Sequence, residues 1–199
     1  MRREILWFSV PACAAVGIGL WLLRKKAGNG PEQNINNRGA AVPPVTNQKT
    51  ASYSFISGYR NAATVELSFP YDADRFSYTV CEEGFLAESG DSHVGILYGE
   101  AFSMQLEYAA YYHDEDFADL SRELAEKHPD LSSVRFGALE GVQYQDGDNC
   151  CLSFPIPDDA SSYLLITLVK ASDNDDDLSD LPEYPDVRTM LSALEFSRS

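Results

Sequence analysis

Residues that could do chemistry gather in three places. The first is the acidic stretch Asp173-Asn174-Asp175-Asp176-Asp177-Leu178-Ser179-Asp180. Closely spaced carboxylates repel one another, and a hard cation relieves the repulsion. Asp173, Asp175 and Asp177 have the alternate spacing of a calcium loop's first ligands, and Asp180 adds a further carboxylate. The pattern then departs from an EF-hand: Leu178 stands where the loop needs glycine, and Tyr184 where it needs a bidentate Glu. What survives is an irregular calcium site, weighed against a solvated acidic connection between a strand and a helix.

The second group is the cysteines. Cys13 lies in an apolar N-terminal run, and Cys81, Cys150 and Cys151 lie in the body of the chain. In an exported body one disulfide could form, Cys81 with Cys150 or Cys151, leaving a third thiol over. Adjacent cysteines seldom bridge each other, and buried free thiols are the favoured reading. No ligand spacing suggests zinc. The third group is His93, His113 and His128. His113 precedes Asp114, Glu115 and Asp116, which could orient it, but no nucleophile elbow or similar signature accompanies it. No catalytic residue and no cofactor-binding residue is assigned, and a non-enzymatic protein is expected. Tyr78, Tyr98, Tyr108, Tyr111 and Tyr112 make the body rich in tyrosine, either as an outer binding face or as caps on a core edge.

The elements that must hold these groups read mainly as strands. Alternation marks Tyr53–Ile56, Thr64–Phe69 (ended by Pro70 and Tyr71), Phe76–Cys81, Val94–Tyr98 and Met104–Tyr112. Ser133–Leu139, Val142–Gln145, Cys150–Ile156 and Tyr163–Val169 follow, with breaks at Gly141 and at Asp146-Gly147-Asp148-Asn149. Two helices are predicted. Asp114–His128 carries Phe117, Leu120 and Leu124 on one stripe, and Pro185–Leu194 carries Val187, Met190, Leu191 and Leu194 at helical spacing. Strands, a helix, more strands and a closing helix describe an α+β domain with a mostly antiparallel sheet.

Charge is distributed unevenly. Residues 1–50 hold seven Lys or Arg against two Asp or Glu, a net of +5; residues 51–199 hold eight against 29, a net of −21. So acidic a body repels phosphate backbones, which disfavours nucleic acid. It suits a protein partner with a basic surface. Ile5 to Leu23 is a run of 19 residues without a charge. As a helix it would rise about 28 Å, close to a hydrocarbon core. Trp7 and Trp21 sit near its ends, as indoles do at membrane interfaces, and basic residues flank it. A signal-peptide cut near Ala12 and Ala14 would leave an apolar tail, and a lipoprotein site at Cys13 has too short an apolar stretch before it. The expectation is a transmembrane anchor over 1–26, a flexible Gly-, Asn- and Pro-rich linker over 27–50, and an acidic globular domain over 51–199. The stalk-like linker favours a single-pass protein of the cell membrane with its domain outside the cytoplasm.

The order of elements resembles the PsbP-like family across residues 53–196. Two local features carry the resemblance: Val65-Glu66-Leu67-Ser68-Phe69-Pro70-Tyr71, an early strand running into Phe-Pro, and the closing segment Asp186 to Phe196 after a long apolar strand, Ser162–Lys170. The resemblance implies an α/β/α sandwich, an antiparallel sheet between helices. It also implies an accessory or partner-binding role without enzymatic activity. The alternative function is an extracytoplasmic domain that responds to calcium or holds a small ligand.

Overall fold

The computed structural model describes residues 45–57, 63–82, 93–110, 116–170 and 178–198. In chain order the elements are β1 (Gln48–Ser57), β2 (Ala63–Asp72), β3 (Ser77–Glu82), β4 (His93–Tyr98), β5 (Phe102–Ala110) and α1 (Phe117–Lys127). Then come β6 (Ser132–Phe136), β7 (Leu139–Asp146), β8 (Asn149–Ile156), β9 (Asp159–Lys170), a 3-10 turn (Leu178–Glu183), α2 (Pro185–Ser192) and β10 (Glu195–Arg198). The α+β class with mostly antiparallel sheet is what the alternation predicts.

The strands form two sheets. Seven are ordered β3-β4-β5-β9-β8-β7-β6, and three are ordered β1-β2-β10, every described pairing being antiparallel. Period-2 patterning then separates two cores. Cys150, Leu152, Phe154 and Ile156 on β8, with Leu164, Ile166 and Leu168 on β9, face the main core. They meet Tyr53, Leu67 and Phe69 of the small sheet and Val187, Met190 and Leu191 of α2 there. The alternate residues face the other way: Cys151 joins Val142 and Tyr144 of β7 under Leu120 and Leu124 of α1, with Leu165 of β9 packed alongside. The seven-stranded sheet is thus a middle layer, with α1 on one face and the small sheet and α2 on the other.

Several boundaries differ from the sequence expectation, each for a local reason. β1 begins at Gln48, inside the expected linker, because Thr46 and Asn47 bind both oxygens of Asp74 at 2.7 and 3.0 Å and Gln48 pairs with Asp72. β2 does not end at Pro70. It continues to Asp72, since β10 covers only Val65–Ser68 and leaves Pro70 on a stretch paired on one side, where a missing N–H is tolerated. The strand expected over Ser133–Leu139 is instead a hairpin that turns at Gly137, whose φ is 55°. A Cβ there would come 2.7 Å from the Ser192 carbonyl.

Gly141 is no break but the interior of β7. A Cβ at that position would lie 2.1 Å from the Ser153 carbonyl and 2.7 Å from the Phe154 ring. The hairpin at Asp146-Gly147-Asp148-Asn149 is as expected, with Gly147 at a positive φ of 60°. α1 opens at Phe117 because the Asp116 carboxylate caps the Ala118 and Asp119 amides, each at 3.0 Å. α2 is held by a bidentate pair between Arg75 and Asp186, at 2.6 and 2.7 Å.

No helix among the described residues is long and apolar enough to cross a membrane. The run Ile5–Leu23, with Trp7 and Trp21, and residues 27–44 of the expected linker lie outside the described residues.

Candidate functional site

Asp173, Asp175 and Asp177 of the candidate calcium loop lie outside the described residues. Asp180 is within them, half-buried in the 3-10 turn that leads into α2. Among the described residues no three metal-ligating side chains come together. The possible disulfide does not form, and the thiols are free as the favoured reading has it. Cys81 lies on β3 and Cys150 and Cys151 on β8, with β4, β5 and β9 between them. Four strand spacings amount to about 19 Å, far beyond the reach of a disulfide. All three are free thiols. The sequence pairs cysteines by parity and compartment, and it cannot show that their strands stand far apart in the sheet.

Cys150 and Cys151 point to opposite faces, into the main core and the α1 core. Burial, with Asp146 adding to it, pushes the Cys151 thiol up to about 11, while hydrogen bonds to Thr167 and Tyr144 offset a part. Burial, with Cys151 next to it, also raises the Tyr144 hydroxyl. A thiol so protected stays protonated near neutral pH and is a poor nucleophile or ligand. His113 lies outside the described residues, as do Tyr111, Tyr112 and the side chain of His93. His128 closes α1. Its Nδ1 is 2.9 Å from the Gln145 carbonyl and its ring centre 4.4 Å from that of Tyr144, so it fastens the helix end to β7.

Sequence reading missed a second polar cluster. Ser162 donates its single hydroxyl proton to Asp159 Oδ2 at 2.6 Å. The 3.0 Å contact between Ser162 Oγ and the Tyr108 hydroxyl must then be donated by Tyr108. The Tyr108 ring stacks on Phe55 at 4.7 Å, and its amide donates to the Tyr53 hydroxyl at 3.1 Å. The chain runs Tyr108 to Ser162 to Asp159, like an activated hydroxyl. Yet Ser162 is 1% exposed and Asp159 8%, so no reacting carbonyl can approach Ser162 Oγ. These bonds tie β1, β5 and β9 together. The residues are 54 positions apart in part, and no short motif announces them.

Of the five tyrosines, Tyr78 and Tyr108 follow the more ordinary of the two expectations, while Tyr98 is half-buried on β4 outside both cores. Tyr78 and Tyr108 pack on the rim of the main core, and Tyr53 is buried within it. Burial, with Tyr71 nearby, pushes the Tyr78 hydroxyl up to about 12, and it donates to the Ser52 carbonyl at 2.8 Å. The two depressions lined partly by Phe117 are open and shallow, and neither receives a convergent set of polar groups.

Surface charge is what remains conspicuous. Arg75, Arg122, Arg135 and Arg188 are each paired with a carboxylate of the same chain: Asp186, Asp119, Glu140 and Glu183. Arg198 donates to the Asp158 carbonyl at 2.9 Å. These five arginines are thus engaged within the chain, in a body whose residues 51–199 carry a net charge of −21. Comparison with models of known families, with curated proteins and with solved structures finds no match to this chain.

Proposed function

We propose that this chain is a membrane-tethered accessory module, without enzymatic activity, that engages another protein through a basic face of that partner. The observation that carries the reading is the engagement of Arg75, Arg122, Arg135 and Arg188 in pairs within the chain, in a body whose net charge is −21. Supporting it, the cluster of Tyr108, Ser162 and Asp159 is closed to substrate. The tether rests on the apolar run Ile5–Leu23 between basic flanks, and an extracytoplasmic domain on the polar linker after it.

The test is a cross-linked capture of the full-length chain from gently solubilised native membranes. A stoichiometric partner is expected, and raising salt from 50 to 500 mM should weaken its binding, because exposed charges are screened beyond about a Debye length. Affinity indifferent to salt would remove the electrostatic basis. A capture with no partner, with a control complex cross-linked in parallel, would remove the accessory role.

A further inference from the structure

The turn that follows α1 is built into the large sheet. β6 pairs with β7 up to Ser132 opposite Gln143, and beyond that point the turn takes the place of β6. The Gln145 amide donates to Asp130 Oδ2 at 2.6 Å, and His128 Nδ1 donates to the Gln145 carbonyl at 2.9 Å. Both backbone groups of one β7 residue are thus met by side chains of this turn, which satisfies them as a strand would. The His128 ring lies against Tyr144, and Leu131 packs beside the core under the helix.

The body of α1 is attached differently. Asp116 binds the Ala118 and Asp119 amides, Ser121 the Phe117 carbonyl and Arg122 the Asp119 carboxylate, so these bonds run within the helix and survive if it moves as a unit. Its hold on the sheet is apolar: Leu120 and Leu124 are its buried residues, with Phe117 half-buried. Shallow depressions flank Phe117 on both sides, one towards Ser133 and Glu140, the other towards Pro155 and Asp159. Among the described residues this core has five buried members against 24 in the main core. An element with so small a buried seat opens at lower free energy than the whole domain unfolds. The main core lies on the other face of the sheet and loses no contact when α1 leaves.

We propose that α1 is a hinged cover: it lifts from the sheet as one unit, pivoting on the His128–Asp130 turn, while the sheet and main core stay folded. The open form bares Tyr144 and the Cys151 thiol. The test is hydrogen exchange of the full-length chain in detergent, resolved residue by residue, over urea concentrations below the unfolding midpoint. The buried amides of α1 should exchange at least about a hundredfold faster than those of β8 and β9, with little dependence on urea. The Gln145 amide, at the hinge, should follow β8. Leu120→Asp with Leu124→Asp should hold the cover open: α1 amides then exchange as in an unfolded peptide, while β8 and β9 keep their protection. The proposal is overturned if α1, β8 and β9 share one rate and one urea dependence, or if Gln145 exchanges with α1. It is equally overturned if the aspartate pair strips protection from β8 and β9, since cover and sheet would then fold as one.

Discussion

The buried side chains with the most chemical potential are held in their neutral forms, and that has a direction in pH. The Cys151 thiol is pushed up to about 11 and the Tyr78 hydroxyl to about 12, both mainly by burial. An acid whose folded pKa is raised keeps its proton in the folded state while the unfolded chain loses it. The stabilisation is complete below the unfolded pKa and is lost as pH rises through the folded one. Thermal unfolding midpoints should therefore lose this contribution between about pH 9 and 12, Cys151 over the lower part of that range and Tyr78 over the upper. Cys151→Val should flatten part of that fall; an unchanged slope would mean that Cys151 does not contribute. At pH 8 the half-buried Cys81 should react with a disulfide reagent at least about tenfold faster than Cys150 or Cys151 in the native domain. Equal rates would contradict the burial. The sequence showed that three thiols reside in the body, but which of them is sheltered is decided by strand order. The Tyr108, Ser162 and Asp159 contact was illegible for the same reason: it joins β5 to the far end of β9.

Single elements were more legible, because a strand or helix is written in its own periodicity. Leu120 and Leu124 of α1, and Val187, Met190 and Leu191 of α2, are buried as their spacing predicts. Ends were harder to read. Asp116 sets the start of α1, and Asp116→Ala should cost about 1 kcal/mol in urea unfolding. Gly141 looked like a break only because its neighbour across the sheet cannot be seen in sequence. It is required by the Ser153 carbonyl and the Phe154 ring, which leave no room for a methyl group. Gly141→Ala should cost about 2–3 kcal/mol by overpacking, more than the same change at the open turn residue Gly147, where nothing lies within 4 Å. Similar losses at both sites would show that β7 relaxes. β10 escaped notice because four residues, one of them half-buried, carry too little alternation.

For the molecule as a whole, composition fixed the acidity and alternation fixed the α+β class, but neither could divide ten strands between two sheets. Both sheets use the same period-2 code, and only pairing distinguishes them. The candidate calcium loop was legible as chemistry, and its first three carboxylates lie outside the described residues. If it binds the ion, millimolar calcium should raise the melting midpoint of the full chain, and Asp175→Asn with Asp177→Asn should cancel the rise. An unmoved midpoint would dispose of that alternative. Because the middle sheet is shared by two cores, the neighbouring thiols Cys150 and Cys151 look out on different territories, one bounded by the small sheet and α2, the other by α1. Nature has thus set two clocks side by side in the chain. A brief labelling pulse during unfolding, read by mass spectrometry at these adjacent positions, would time the departure of each outer layer separately. α1, seated on the smaller core, should let its thiol be marked first.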